Sequence, residues 1–428
     1  MALSTQPYKG ARDFYPPEKR VQDYIFSVWR AVVQSFGYEE YDASIIEPMD
    51  LYLAKTSEEI VNEQTYVFED RGGRKVTLRP EMTPTVSRMV AGKRQELAYP
   101  LRWFSIPNLW RYERPQRGRL REHWQLNVDL FGESGIAGDH ELVLIADAIM
   151  QKFGAKRDMY TIQLNSRKLV NYLLQERYGL DAEKSMQAIR LIDRMKKLSA
   201  EEFDAALGEL VGEHTAELAG ILRSSSFESL PQDVQQHPAA QRAHDLQVLL
   251  ARGGVTNAQF DVSLMRGFDY YTDIVFEMVD TNPANNRSMF GGGRYDGLVG
   301  LFGVEPIPTV GFGMGDVTIR EFLELHELLP KLSSGTAVSV LLIGDVYASA
   351  QDLISSLREA GIAVAVDATS RKMDKKIKSA DKAGHPYVLF VGEEELAKGE
   401  FAIKNLNSGQ EQHLSLDDLK DYLLNNVK

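Results

Sequence analysis

Apolar positions recur at helical spacing from Val21 to Phe36, and Gly37 follows as a stop signal. Tyr38 to Glu47 reads as extended and is closed by Pro48. Thr65–Phe68 and Lys75–Leu78 flank Asp70-Arg71-Gly72-Gly73, the pattern of a hairpin. Leu101–Tyr112 and Trp124–Phe131, rich in aromatic and branched residues, predict the two strands of a longer hairpin with an exposed tip between them. His140–Phe153 is helical by spacing. From Arg167 to Gly253 strand signals vanish, and Leu, Ala, Glu and Lys recur at helical spacing, with a softer patch at Ser224–Pro238; this predicts an all-α insertion. Strands return at Phe260–Met265 and Ile274–Val279. Glycines crowd at Gly291–Gly293 and Gly297, and Val310–Gly315 leads into a helix over Asp316–His326. After a short linker, Pro330–Thr336, the pattern becomes strand Val338–Ile343, helix Ala348–Ala360, strand Ile362–Val366, helix Asp374–Ala383 and strand Tyr387–Val391, a βαβαβ unit with a mostly parallel or mixed sheet. The expected organisation is an α+β domain over residues 1–330, a helical insertion at 167–253 within it, a linker at 331–336 and an α/β domain over 337–428.

Composition narrows the classes. A length of 428 residues fits two or three domains, and 43% hydrophobic with 26% charged residues is ordinary for a globular chain. With 0 cysteines, a disulfide framework, a thiolate metal site and a cysteine nucleophile are all excluded. No stretch approaches the roughly 18 apolar residues of a membrane span, and Met1–Arg12 lacks the apolar core of a secretory signal, so a cytoplasmic protein without membrane partners is expected. The 8 histidines form no metal-ligand spacing, so no metal site is expected; His214 with Glu217 reads as an exposed helical pair. The net charge of −12 opposes sequence-blind binding to DNA or any other duplex, which needs neutralised phosphates. Local clusters matter more. One holds Arg111, Arg114, Arg117, Arg119 and Arg121; the other holds Arg371, Lys372, Lys375, Lys376, Lys378 and Lys382, for which a solvated surface is the bland reading.

Four segments carry chemistry. Arg111 to Gln125 selects arginine, the fixed-charge bidentate donor. Arginines at the strand bases can hold a phosphate on the sheet, and those at the tip can meet a second anion. Arg266-Gly267-Phe268-Asp269-Tyr270-Tyr271 puts one cation and two phenols at a strand end, suited to an anion beside a polar or aromatic ligand; a packed core edge is an equal reading. Thr77–Pro84 presents Glu81 and Thr83 on a turn stiffened by two prolines. The pair suits an ammonium group, although Thr83 as a helix N-cap before Pro84 is the simpler local reading. Phe290–Gly297 is neither a Walker loop nor a dinucleotide turn; its glycines allow a close backbone approach to something.

In this order the segments resemble the histidyl-tRNA synthetases, a class II aminoacyl-tRNA synthetase family, over nearly the whole chain. Lys9-Gly10-Ala11-Arg12-Asp13-Phe14 is similar to the family's opening motif. Gly37 through Pro48 resembles motif 1, which lies at the family's dimer interface, and Arg111 through Gln125 resembles motif 2. Leu264–Tyr271 and Gly292–Val299 resemble the two histidine-specific motifs. Ser379–Lys382 and Val391–Leu396 resemble the anticodon-binding domain. The resemblance implies a six-stranded antiparallel sheet flanked by helices, a helical insertion, homodimerisation, and the reaction of ATP and L-histidine to histidyl-adenylate followed by transfer to the 3′ end of tRNA(His), with Mg2+ accompanying ATP.

It also implies roles. Arg111 and Arg266 hold the α-phosphate from two sides, and Glu113 faces the adenine amino group. Arg119 and Arg121 are candidates for the outer phosphates, and His123 stacks on adenine where many members carry Phe. Glu81, Thr83 and Gln125 bind the α-ammonium. Asp129, where many members carry Glu, and Tyr271 read the imidazole, with Tyr270 lining the pocket. Gln116 and Arg117 meet the tRNA acceptor end. One departure stands out: motif 3 carries an Arg that clamps the γ-phosphate, and here Gly313-Met314-Gly315-Asp316-Val317-Thr318 puts Thr318 at its position, leaving Arg320 or Arg119 with Mg2+ as substitutes. The competing readings are a synthetase-like regulatory subunit of ATP phosphoribosyltransferase, which typically lacks the anticodon domain, and a non-catalytic tRNA-binding module.

Overall fold

The computed structural model describes residues 3–53, 64–224, 226–265, 270–285 and 287–426. It divides into two compact units, Met1–Leu329 and Pro330–Lys428. In the first, the chain enters a helix at Pro16–Ser35, five residues earlier than the apolar spacing suggests. The tandem Pro16-Pro17 sets the first turn, where missing amide donors cost nothing. That helix turns Ile25, Phe26, Val28, Trp29, Val32 and Val33 into the core.

The strands of this unit, in chain order, are β1 (Glu39–Glu40), β2 (Ile46–Pro48), β3 (Tyr66–Glu69), β4 (Lys75–Leu78), β5 (Leu101–Ser105), β6 (Asn108–Trp110), β7 (Glu122–Phe131), β8 (Tyr160–Ser166), β9 (Ala258–Phe260), β10 (Ile274–Asp280), β11 (Ser288–Arg294) and β12 (Thr309–Gly315). Six of them, β5-β7-β12-β11-β10-β8, form the expected antiparallel sheet. Short strands β1 and β9 extend it at its two edges in parallel, so the whole sheet is mixed. Helices Pro16–Ser35, Ile136–Lys152, Pro238–Arg252 and Asp316–Leu325 pack against it or against one another in one continuous core. Among the described residues, 167–252 holds helices joined by turns and short loops and no strand, as the loss of strand periodicity predicts.

The structure corrects several boundaries. Leu101–Tyr112 is not one strand: it breaks at Ile106-Pro107, because proline has no amide for the ladder, and only its carbonyl is used, by the Gln125 amide at 3.1 Å. Tyr38–Glu47 is two short strands, one on the main sheet and one, β2, in a separate sheet ordered β2-β4-β3. Phe260–Met265 holds only the last residue of β9. The β3–β4 turn forms as read: Gly73 adopts φ +74°, and the Asp70 carboxylate accepts from the amides of Gly72 and Arg74 at 2.8 and 3.0 Å.

The second unit carries β13 (Val338–Leu342), β14 (Val364–Asp367), β15 (Tyr387–Val391), β16 (Glu400–Asn405) and β17 (Glu411–Ser415), in the sheet order β14-β13-β15-β16-β17. The first three are parallel and the last two add an antiparallel hairpin. Helices Gln351–Glu359 and Leu416–Asn426 contribute to its own core of Val338, Val340, Ile354, Leu357, Leu389, Leu419 and others.

Candidate active site

Strand β7 alternates, and that alternation builds the site. Leu126, Val128 and Leu130 enter the core on one face, so Gln125, Asn127 and Asp129 stand on the other. There they line a pocket with Glu81, Thr83, Arg111, Tyr270, Tyr271 and Tyr295. The neighbouring strand supplies a floor without side chains. β12 pairs Gly311 with Asp129 and Gly315 with Gln125. A Cβ on Gly311 would lie 2.4 Å from Asp129 Oδ1, and one on Gly313 would lie 2.8 Å from the Gln125 carboxamide carbon. Glycine is required because the carboxylate and the amide lie directly over the backbone.

The wall bearing Glu81 is held by its own turn. Arg79, nearly fully buried, donates to the carbonyls of Ala43 at 2.7 Å and Asn108 at 3.0 Å, which pins the chain before Pro80. The following helix, Thr83–Gly92, starts at Thr83 with Met82 in the N-cap position and no side-chain capping bond. Thr83 is therefore the helix's first residue rather than its cap, and it lines the pocket. Glu81 is 3% exposed and accepts a hydrogen bond from the Tyr270 hydroxyl at 3.1 Å. Arg111 reaches the same turn, its Nε donating to the Pro80 carbonyl at 2.9 Å.

Asp129 is the pocket's distinctive charge. The Tyr295 hydroxyl donates to its Oδ1, while Oδ2 is buried with no partner among the described residues. Burial pushes its carboxyl up to about 7, with the Tyr295 bond pulling the other way. Burial first, and then the Asp129 charge, raises the Tyr295 phenol well above its ordinary value; burial and Glu81 do the same for Tyr270. Both phenols remain hydrogen-bond donors. Beside Arg111, the His123 ring is driven down to about 3 by burial, then by the Arg111 and Arg12 guanidiniums, so it stays a neutral aromatic plane.

Seven of the residues singled out from sequence converge here: Glu81, Thr83, Arg111, Gln125, Asp129, Tyr270 and Tyr271. Of the others, Glu113, Gln116, Arg117, Arg119 and Arg121 lie on the β6–β7 connection outside the pocket, and His123 lies on β7 opposite Leu109. Glu113 carries Arg119 at 3.6 Å. Arg121 is engaged elsewhere: it stacks over Tyr112 at 4.1 Å and donates to the Tyr8 hydroxyl and the Glu113 carbonyl. Gln116 and Arg119 exchange backbone bonds at the exposed tip, and Arg117 lies 3.4 Å from Glu321. Arg266 and residues 267–269 lie outside the described residues.

Asn127 and Tyr295 line the pocket without having been assigned. Asn127 was legible, since polar residues alternate at 125, 127 and 129. Tyr295 was not, because its role depends on a closure between strands distant in sequence. Its neighbour Arg294, 2% exposed, explains its position. That guanidinium binds the Asp139 carboxylate at 3.0 and 3.1 Å and the carbonyls of Glu133 and Gly135, locking the end of β11. Arg242, from the helical insertion, adds a bond to the same carboxylate at 2.8 Å. A buried carboxylate held by two guanidiniums keeps its charge compensated.

Known proteins resemble this chain in sequence and fold. A family profile described as Histidyl-tRNA synthetase matches residues 10–317, and one described as Anticodon binding domain matches residues 337–426. The chain is 41% identical to the histidine--tRNA ligase of Leptospira biflexa, over 95% of this chain and 94% of that protein. It is 36% identical to the histidine--tRNA ligase of Thermoplasma volcanium, over 98% and 99% of the two chains. The crystal structure of histidyl-tRNA synthetase from Nostoc sp. superposes with a TM-score of 0.84 over 100% of both chains at 21% identity, a likeness of fold. With the profile match and the full-length kinship in agreement, the chain belongs to the histidyl-tRNA synthetase family.

Proposed function

We propose that this chain activates L-histidine with ATP and transfers the histidyl group to the 3′ end of tRNA(His). The observation that carries the proposal is the pocket itself: an acid wall (Glu81), an amide (Gln125), a cation (Arg111) and a buried, half-partnered carboxylate (Asp129) around a space bounded by phenols. In the proposed reaction the histidine carboxylate attacks the α-phosphorus in line and pyrophosphate leaves. Arg111 and Arg266 stabilise the charge that grows on the equatorial oxygens. Holding both reactants between fixed cations supplies most of the acceleration, so no titrating acid–base residue is required. Glu81, Thr83 and Gln125 receive the α-ammonium. Asp129 Oδ2 accepts from a ring N–H, and Tyr271 addresses the other nitrogen; a side chain without those nitrogens leaves buried polar groups unpaired. Glu113 and His123 receive the adenine, Arg119 is the hairpin's candidate for the outer phosphates, with Arg121 available only if it leaves Tyr112 and Tyr8, and Mg2+ enters with the triphosphate. In the second step the terminal hydroxyl of the tRNA attacks the histidyl carbonyl and AMP leaves, with Gln116 and Arg117 at the acceptor end and the unit from 337 onward on the anticodon.

A homodimer is part of the proposal. Ile45, Ile46, Val67 and Phe68, on or beside the small β2-β4-β3 sheet that begins within the motif 1 segment, are all exposed, an apolar surface suited to a second copy. We place the reaction in the cytoplasm; no helix among the described residues is long and apolar enough to cross a membrane. The regulatory-subunit reading is opposed by the anticodon-domain match over 337–426. Histidine-dependent ATP–pyrophosphate exchange is the test. The wild-type chain should show it, and Arg111→Ala and Arg266→Ala should each lower it by about 100-fold or more, in the range of lost transition-state donors, with unchanged melting. Near-normal exchange in either variant would contradict its assignment, and no exchange in the wild type would defeat the enzyme reading.

A further inference from the structure

The helix after β12 lacks a cation where the family's γ-phosphate clamp belongs, and the structure shows what occupies that position. The Thr318 hydroxyl is consumed by two carbonyls, Met289 at 2.8 Å and Gly315 at 3.2 Å. The tip of the β6–β7 connection comes down over it: a Cβ on Gly118 would lie 3.3 Å from a Glu321 carboxylate oxygen and 3.9 Å from the Thr318 methyl. Most of the nearby arginines are committed. Arg320 points about 200° around the helix from Thr318, given about 100° per residue, and binds Glu324 at 2.8 Å. Arg12 is held by Asp316 at 2.7 Å, Arg121 is stacked on Tyr112, and Arg117, in a weak surface pair with Glu321 at 3.4 Å, is already assigned to the tRNA acceptor end.

Arg287 differs. It sits two residues before Met289, the residue that Thr318 bonds, so the start of β11 and the start of the helix are tied together at this point. It is exposed, and no carboxylate among the described residues pairs with it. Its Nη1 donates instead to the backbone carbonyl of Arg117 at the tip, at 3.0 Å. A guanidinium bonded to one neutral carbonyl keeps most of its fork available and can exchange that partner for a phosphate oxygen at little cost.

We propose that Arg287, reaching across from the adjoining strand, binds the outer phosphates of ATP in place of the absent helix arginine. The proposal deepens the synthetase reading and rests on it, and AMP, which has no outer phosphates, separates the two. In the exchange assay with the full chain, Arg287→Ala should raise the KM for ATP about tenfold or more, the scale of one lost charge-assisted contact. The inhibition constant of AMP and the KM for histidine should stay within about twofold, and Arg287→Lys should fall between wild type and Ala because it keeps the charge without the fork. An unchanged KM for ATP would overturn the assignment. So would parallel losses for ATP and AMP, which would make Arg287 a strap for the hairpin tip. Absence of exchange in the wild type would instead remove the reading beneath it.

Discussion

At the scale of single residues, Asp129 carries a stability cost at the point where the imidazole is proposed to bind. Its folded-state pKa of about 7 lies well above the roughly 3.9 of an unfolded aspartate. The native state therefore holds an extra proton between about pH 4 and 7. Stability falls as pH rises through that window and stays low above it, because the ionised carboxylate has lost water and gained only one phenol. Asp129→Asn removes the cost. Denaturant unfolding should find the variant more stable than wild type by about 2–4 kcal/mol at pH 8 and nearly equal at pH 4. Its histidine-dependent exchange should drop by about 100-fold, because an amide does not offer the anionic acceptor the ring N–H is proposed to use. An equal stability difference at both pH values would mean that the carboxylate is not held protonated. Tyr295 carries the same lesson from the other side. A tyrosine that follows an arginine gives no sequence signal of its own, and its function arises only because Arg294 is locked to Asp139 and Gly311 leaves the space beneath the carboxylate.

At the scale of elements, what was legible is what repeats along the chain. The β7 alternation puts three polar side chains on one face, and the glycine-rich β11 and β12 announce a close approach. The helical insertion is visible in the disappearance of strand periodicity. Pairings between segments far apart were not legible: β1 and β9 join the sheet edges in parallel, and the β16–β17 hairpin follows a region where only βα alternation had been read. Pro107 could have been used to divide the hairpin's first arm, because a ladder position without an amide is a break wherever it occurs. The tip of that hairpin is the element with a separable role. Arg117 stands 60% exposed with Glu321 as its ion-pair partner, a weak surface pair that a polyanion can displace. Arg117→Ala should lower tRNA charging by about tenfold and reduce its salt dependence by roughly one phosphate contact, while adenylate formation remains near wild type. Equal loss in both steps would make the tip a structural part of the ATP site.

At the scale of the molecule, two cores are built from two stretches of chain. Every residue of the core around the main sheet precedes Pro330, and every residue of the core around β13 follows it. Among the described residues the pocket on β7 is lined by the first unit, so the proposed chemistry of activation needs nothing that the second supplies directly. Recognition of the tRNA is a different requirement. The net charge of −12 repels a polyanion at long range, so specific local contacts must overcome it, and the family match puts an anticodon-binding domain at 337–426. A chain ending at Leu329 should therefore keep histidine-dependent exchange within about threefold of the full chain. Its kcat/KM for charging should fall by about 100-fold or more, close to 3 kcal/mol of lost tRNA binding. Adding salt should then change charging less steeply than in the full chain, since fewer phosphates are contacted. A folded truncation with no exchange would mean that the second unit holds the pocket in its active form. One that charges tRNA normally would mean that recognition resides in the hairpin tip and the helical insertion, with the C-terminal unit serving some other partner.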